Sequence, residues 1–225
     1  MNKSLLIVAF LLVTGIFLHG QIGLELTYHN YDYKDWNKVL YDKTGQEIRI
    51  FNKAYGAGVN YWFSTKRYRI EFTPGVFYQY SSSTIKPDKD SYVFQSHTAG
   101  AEFDVNMYIF DFIRRNYERD CPSFSNSKEW FREGFFIQVS PGIFSVFRNT
   151  DMTGSLTKSH VEGKFDIGAG LDFSLGTHLG MAPVLKYGFL ISAAWDGFAE
   201  NFGNKVYYDK TAASYYSLTL SFYVK

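Results

Sequence analysis

Residues 161–175 read VEGKFDIGAGLDFSL, and the character of their side chains changes with a period of two. One series is apolar or glycine and runs Val161, Gly163, Phe165, Ile167, Ala169, Leu171, Phe173 and Leu175. The other is polar, charged or glycine and runs Glu162, Lys164, Asp166, Gly168, Gly170, Asp172 and Ser174. Because successive side chains of a β-strand point to opposite faces, this stretch predicts a strand with one apolar and one ionised face.

The same alternation recurs along the chain and predicts eight strands. They cover Ile22–His29, Ala54–Phe63, Arg67–Tyr80, Val93–Phe110, Phe135–Arg148, Val161–Leu175, Met181–Trp195 and Tyr215–Val224. After the first 20 residues, no segment is long and apolar enough to span a bilayer as a helix. Any insertion into a membrane would therefore be by strands.

The relative bulk of the two faces decides which of them points inward. Eight strands enclose an interior just wide enough to be filled by side chains. The apolar series is rich in Phe and Tyr and is too bulky for that space, whereas the polar series, with its Gly, Ser and Thr, fits it. A charge facing lipid costs about 2–4 kcal/mol near the midplane, which explains its absence from the apolar face. The predicted fold is therefore all-β, an eight-stranded antiparallel up-and-down transmembrane β-barrel over residues 21–225.

The N-terminus and the charge balance define the class further. Lys3, the apolar run Leu5–Leu18 and Gly20 predict a secretory signal peptide over residues 1–20. Without that segment, 22 basic and 22 acidic residues remain, because Lys3 is removed from the total of 23. This balance gives no basic excess for a nucleic-acid partner. The single cysteine, Cys121, excludes an internal disulfide.

Charged residues of the inward series predict a salt-bridged lumen, because buried charges are tolerated when they are paired. The predicted network is Glu25, Arg69, Glu71, Glu102, Asp104, Lys164, Asp166, Asp172 and Lys186. A repeat accompanies it, in which Thr73-Pro74-Gly75-Val76-Phe77 resembles Ser140-Pro141-Gly142-Ile143-Phe144. Its glycines are expected where the wall bends or where lumen side chains need room.

Short and long connections alternate, as in barrels with short periplasmic turns and long outer loops. Asp111–Glu133 breaks this rule, because it is long yet falls on the predicted periplasmic side. It is either an ordered loop or interfacial helix anchored by Trp130, or a docking surface for a periplasmic partner. The candidate partner residues are Arg114, Arg115, Arg119, Cys121, Trp130 and Phe131. Replacing this segment by a short turn should abolish copurification of such a partner.

The signal peptide, the eight alternating strands and the aromatic-rich end Ser217–Val224 resemble the small outer membrane β-barrels of Gram-negative bacteria, of the OmpA-barrel or OmpX type. This resemblance implies location in the outer membrane, contact with outer membrane lipids and lipopolysaccharide, and insertion by the barrel-assembly machinery. Barrels of this kind, including PorT-like proteins, also occur in secretion and assembly complexes. The C-terminal signal of such barrels usually ends on an aromatic residue, whereas Lys225 is last here.

No pattern in the sequence predicts catalysis or a cofactor. His29, His97, His160 and His178 lack metal-binding spacing, and no G-x-S-x-G motif is present. Ser96 and His97 are adjacent, so they point to opposite faces and cannot pair with each other. The favoured function is a non-enzymatic structural or protein-interaction barrel in the cell envelope. The alternatives are a lipid-modifying enzyme, similar to lipid A deacylases, with a Ser from another strand, and a small-ligand or pore barrel.

Aromatic residues of the predicted outer loops allow two interpretations. They form an adhesive surface, or they pack on one another above the barrel or within the lipopolysaccharide zone. The residues are Tyr31, Tyr33, Trp36, Phe198, Phe202, Tyr207 and Tyr208.

Overall fold

The computed structural model describes residues 21–64, 69–85, 91–110, 134–151, 159–175, 179–196, 198 and 210–224. Residues 1–20 lie outside this part of the chain, so the secretory signal and the domain boundary after it remain predictions. The residues proposed for a partner loop also lie outside it, namely Arg114, Arg115, Arg119, Cys121, Trp130 and Phe131.

Among the described residues, eight strands form one closed antiparallel ring. They are β1 (Gln21–Tyr33), β2 (Lys53–Ser64), β3 (Ile70–Ile85), β4 (Tyr92–Met107), β5 (Phe135–Thr150), β6 (Ser159–Leu171), β7 (Leu179–Ala194) and β8 (Lys210–Val224). Phe173–Ser174 continue β6 beyond Asp172 and pair with β7. Each strand pairs with the next along the chain, and β1 pairs with β8 to close the ring. The predicted eight-stranded up-and-down barrel is confirmed.

The two faces of the wall carry the two series that the sequence separates. Leu24 is 61% exposed while its neighbour Glu25 is 4% exposed, and Val161 is 72% exposed while Glu162 is 2% exposed. The apolar side chains therefore cover the outside of the barrel, and the polar ones fill the lumen. One end of the barrel carries the first residue of β1 and the last residue of β8. We call it the turn end, and we call the opposite end the loop end.

Several strands are longer at the loop end than the sequence predicts. β1 continues past His29 to Tyr33, and β3 continues past Tyr80 to Ile85. The reason is that the inward series does not stop at the predicted boundary, since Tyr31, Tyr33, Ser81 and Ile85 also point into the barrel and are buried. The wall therefore extends beyond its apolar band.

A helix, α1 (Lys34–Thr44), follows β1 directly where the sequence predicts only a loop. Trp36, Val39 and Leu40 are buried, at the i, i+3, i+4 spacing of one helix face, while Lys34 and Lys38 are exposed. The prediction failed because the helix is short and has a single apolar stripe that packs on the barrel rather than on another helix. No helix in the described part of the chain is long and apolar enough to cross a membrane.

Gly45 ends α1 in the left-handed conformation, with φ 65°, and its N–H donates to the Tyr41 carbonyl at 2.8 Å. A Cβ at this position would meet nothing within 4 Å. We expect Gly45→Ala to cost only the backbone penalty of about 1 kcal/mol. That cost should speed hydrogen exchange of the α1 amides by about fivefold. Lys38→Ala is the control and should leave exchange nearly unchanged; equal rates in the two variants would contradict the cap.

Candidate functional site

The lumen carries buried charges in three tiers, and the lowest lies near the turn end. Arg69 contacts Asp172 at 2.8 Å and Glu71 at 3.7 Å, and its guanidinium lies 3.8 Å from the centre of the Tyr108 ring. Glu71 also accepts hydrogen bonds from Trp62 Nε1 at 2.6 Å and from the Tyr108 hydroxyl at 2.9 Å. The side chains of this tier come from β2, from β3 and the residue before it, and from the residues that directly follow β4 and β6, so the tier fastens the wall across the interior.

The middle tier is built around two lysines. Lys164 pairs with Glu102 and lies 3.5 Å from Asp166, while Lys186 lies 3.5 Å from Asp104. Glu25 accepts a hydrogen bond from Asn60 at 3.4 Å. Together with the lowest tier, this places all nine residues of the proposed lumen network inside the barrel, where Glu25 is the member with no direct basic partner within salt-bridge distance.

The highest tier is a buried ion pair that the sequence analysis did not include. Arg148 contacts Glu162 at 2.5 Å and 3.2 Å through its two terminal nitrogens, and it donates to the Ala194 carbonyl at 2.5 Å. Both side chains are essentially buried. Glu162 belongs to the inward series of the opening stretch, and Arg148 lies an even number of residues from the inward Val146. Strand parity is therefore the signal that could have found the pair.

His29 also lies deeper than its place at a predicted strand end suggests. It is buried in the lumen, and its Nε2 is 2.8 Å from the Gln79 amide nitrogen. The Tyr31 hydroxyl donates to the oxygen of the same amide at 3.1 Å. The extension of β1 explains this position, because His29 lies four residues before Tyr33, the last residue of the strand.

An aromatic cap closes the loop end, and we define it as Tyr33, Trp36, Phe51, Phe94, Trp195 and Phe198. Trp36 stacks on Tyr33 and on Phe198, with ring centroids 5.0 and 5.3 Å apart. Phe51 meets Trp195 edge to face at 5.5 Å. The Arg148 guanidinium lies 5.4 Å from the Trp36 ring, so the cap rests on the highest charge tier.

The cap distinguishes between the two interpretations of the aromatic residues in the outer loops for four of those residues. Tyr31, Tyr33, Trp36 and Phe198 are buried and pack together, as the second interpretation has it. Phe202, Tyr207 and Tyr208 lie outside the described residues. Below the cap, a cavity of about 10 Å³ is lined in part by Tyr31, Gln79 and Arg148. This volume holds roughly one water molecule.

Two girdles of aromatic side chains surround the outside of the barrel. At the loop end, Tyr28 lies 5.3 Å from Tyr55, Tyr187 lies 5.1 Å from Tyr216, and Tyr80 lies 5.0 Å from His97. At the turn end, ring contacts link Tyr61, Phe63, Phe72 and Phe103. The described outward residues between the girdles carry no charge. An apolar band flanked by aromatic girdles is the surface of a membrane-spanning barrel.

Ser96 and His97 separate as strand geometry requires. Ser96 is buried in the lumen, whereas His97 is exposed on the outer face. The Tyr78 hydroxyl lies 2.7 Å from His97 Nδ1, so this imidazole belongs to the loop-end girdle.

No protein-family model matches the chain, and no curated protein matches it. Solved structures similar to it include Neisserial surface protein A, at 8% identity over 90% of this chain and 95% of the other, with a TM-score of 0.40. Ail, the attachment invasion locus protein of Yersinia pestis, is similar at 11% identity over 91% and 96%, with a TM-score of 0.34. The N-terminal β-barrel domain of Pseudomonas aeruginosa OprF is similar at 13% identity over 91% and 99%, with a TM-score of 0.39. Likeness at this level says nothing about what the chain binds or does.

The outer and inner surfaces of the barrel indicate where the protein is located. A closed antiparallel ring, an uncharged outer band between two aromatic girdles and a charged interior are the features of an outer membrane β-barrel. The outer membrane fold and location predicted from the sequence are confirmed by this architecture. Because short turns of such barrels face the periplasm, the turn end is the periplasmic side and α1 lies on the outer side.

Proposed function

We propose that the protein is a non-enzymatic outer membrane barrel with a structural or protein-interaction role, in envelope integrity or in a secretion or assembly complex. The observation that carries this proposal is the closure of the lumen, by ion pairs along its length and by the aromatic cap at its outer mouth. A barrel closed in this way leaves only its surfaces outside the bilayer for function.

The outer surface includes a helix held in a fixed position. Trp36 and Leu40 anchor α1 in the cap, and the Asp35 N–H donates to the Thr211 hydroxyl at 3.2 Å. Tyr41 is 55% exposed on the opposite side, beside the exposed Lys38. A surface that is already ordered loses little entropy on binding, which favours interaction with a partner.

Further partners are part of the same proposal. Outer membrane lipids and lipopolysaccharide would contact the apolar band and its girdles, and the barrel-assembly machinery would insert the chain. A periplasmic or envelope protein complex would use Asp111–Glu133, which is the second of the two interpretations given above for this segment.

The proposal is tested by complementation in a deletion strain of the native host, with resistance to detergent and to large antibiotics as the readout. The variants are Lys38→Ala with Tyr41→Ala, and replacement of residues 111–133 by a short turn. We expect one of them to lose complementation while the protein still shows heat-dependent gel mobility, the sign of a folded barrel. Full complementation by both, with loss only in Ser96→Ala or His97→Ala and altered lipid A, would identify a lipid-modifying enzyme instead.

The closed lumen predicts that the barrel does not conduct. In a planar bilayer, the purified protein should give no current above that of the lipid alone, because the cap and the charge tiers occupy the path. The variant Trp36→Ala, which lacks one residue of the cap, serves as the comparison. It should also give no current, since the middle tier should still block the lumen. Steady conductance steps from the wild type would contradict the proposal and favour a pore.

A further inference from the structure

Three carboxylates converge in the middle of the lumen. Glu25 comes from β1, and Glu102 and Asp104 come from β4. One carboxylate oxygen from each lies within 4.8 Å of the other two. Oxygen ligands bind Ca²⁺ at 2.3–2.6 Å, so two ligands on opposite sides of the ion are about 5 Å apart. The three oxygens therefore stand at the separation that one such ion requires.

Two polar side chains that are not acids border this space, and the oxygen of each lacks a hydrogen-bond partner. Asn60 is 6% exposed, its amide nitrogen lies 3.4 Å from Glu25 and its unpaired Oδ1 faces Gly23, so a half-turn of the amide would bring the oxygen to the side of Glu25. Thr73 is 2% exposed, lies directly opposite Asp104 in the pairing of β3 with β4, and has an unpaired hydroxyl. Glu25 Oε1 is unpaired as well. Leaving such buried atoms without a partner costs about 1–3 kcal/mol each.

The charges of the middle tier do not balance. Four carboxylates, those of Glu25, Glu102, Asp104 and Asp166, face two ammonium groups, those of Lys164 and Lys186. With all four carboxyl groups ionised, the difference is two negative charges in a space closed above by the cap. One divalent cation neutralises it.

The two wall positions that flank Glu102 carry no side chain. Gly75 on β3 and Gly142 on β5 are the two residues directly opposite Glu102 in the sheet. A Cβ on Gly75 would lie 3.0 Å from the Asn60 Cβ, so any larger residue would fill the space between Asn60 and Glu102. The Lys164 side chain already lies over Gly142 of the SPGIF segment, so only Gly75 of the TPGVF segment serves this purpose.

We propose that this lumen site binds one hard divalent cation, calcium in preference to magnesium, through Glu25, Glu102, Asp104, Asn60 and Thr73. All five can offer oxygen, the ligand atom of hard cations, with Asn60 doing so after the half-turn of its amide. Calcium is favoured because it accepts many protein oxygens in an irregular arrangement, whereas magnesium keeps several waters and needs a near-octahedral shell. The ion would join β1, β2, β3 and β4 from inside the barrel.

The test begins with the mature chain refolded in detergent, once with CaCl₂ and once with chelator and NaCl at equal ionic strength. Refolding in the presence of the ion is needed because the cap closes the outer mouth. After a chelator wash, we expect one calcium per chain by elemental analysis. We also expect the melting temperature to be about 5–10 °C higher than in NaCl. Magnesium should give a smaller rise, and a rise equal to that of calcium would overturn the preference.

Two single-residue variants test whether the ion binds at the proposed lumen site. Glu25→Gln keeps the shape of the side chain and removes one charged ligand, so it should weaken calcium binding about tenfold or more. Asp172→Asn is the matched control, a carboxylate of the lowest tier that should leave calcium binding unchanged. No retained calcium in the wild type, or equal retention in Glu25→Gln, would overturn the site.

A measurement on the wild type alone covers the case in which a variant fails to fold. Terbium is a luminescent substitute for calcium, and the difference between its luminescence lifetimes in light and heavy water gives the number of water molecules bound to it. We expect few bound waters in this site. A fully hydrated ion would indicate surface binding only and would overturn the proposal.

Discussion

Replacing Arg148 by methionine will destabilise the barrel by about 3–5 kcal/mol, the cost of leaving one member of a buried ion pair without its partner. Glu162 would keep only the Ala194 N–H, which donates to its Oε1 at 2.9 Å, against the two contacts that Arg148 supplies. Arg148 also supports the cap through Trp36 and through the Ala194 carbonyl. Equilibrium unfolding in urea, followed by tryptophan fluorescence in lipid or detergent, measures the loss.

Two further variants separate this effect from the loss of any arginine. Arg49 pairs with Glu47 in the open, with half of its side chain exposed, so Arg49→Met should change the free energy of unfolding by less than about 1 kcal/mol. Arg148→Met combined with Glu162→Leu should recover much of the loss, because it removes both buried charges. A double variant as unstable as the sum of its parts would contradict a coupled pair.

The fold was predictable because one local rule, the period of two, holds along the strands apart from a register shift in β7 between Leu190 and Ala193. Glu25, Glu102, Lys164 and Lys186 could be assigned to the interior for the same reason, since parity on a strand fixes which face a side chain takes. No information on which strands approach across the lumen was needed for either conclusion.

Partners across the lumen could not be predicted, because they depend on the stagger of strands that are not neighbours in the sheet. Lys164, for example, contacts Glu102 from β4 and Asp166 from its own strand. The cap was missed for a related reason. Trp36, Phe51 and Trp195 are separated in sequence and meet only because two connections, β1–β2 and β7–β8, fold over one mouth.

Phe51 shows how strongly tertiary packing determines this region. It has φ 52°, a left-handed conformation that a bulky residue rarely adopts. Its N–H donates to the Ser83 hydroxyl at 3.1 Å, and its ring is buried against Trp36, Phe94 and Trp195. Local propensity argues against this conformation, so no reading of residues 50–52 alone would find it.

The second large effect concerns the outer face. Val59 lies on β2 midway between Tyr55, which belongs to the loop-end girdle, and Phe63, which belongs to the turn-end girdle. Its side chain points outward. In a bilayer, Val59→Arg should lower the free energy of unfolding by about 2–4 kcal/mol, because the guanidinium would stand near the midplane. The measurement is urea unfolding in phospholipid vesicles, with the heat-dependent gel shift as the test of folding.

Ala212 on β8 is the matched control, since it is also exposed and outward but lies beyond Tyr216 at the loop end. Ala212→Arg should cost about 0–1 kcal/mol, as expected near the interface. The chain already tolerates charge at this height, because Lys53 and Lys210 are exposed just outside the loop-end girdle. If the barrel stood in water with its apolar residues outside, both arginines would be harmless. Equal stability of the two variants would therefore contradict a lipid-facing band. A large difference between them would show that the band includes Val59 and ends before Ala212.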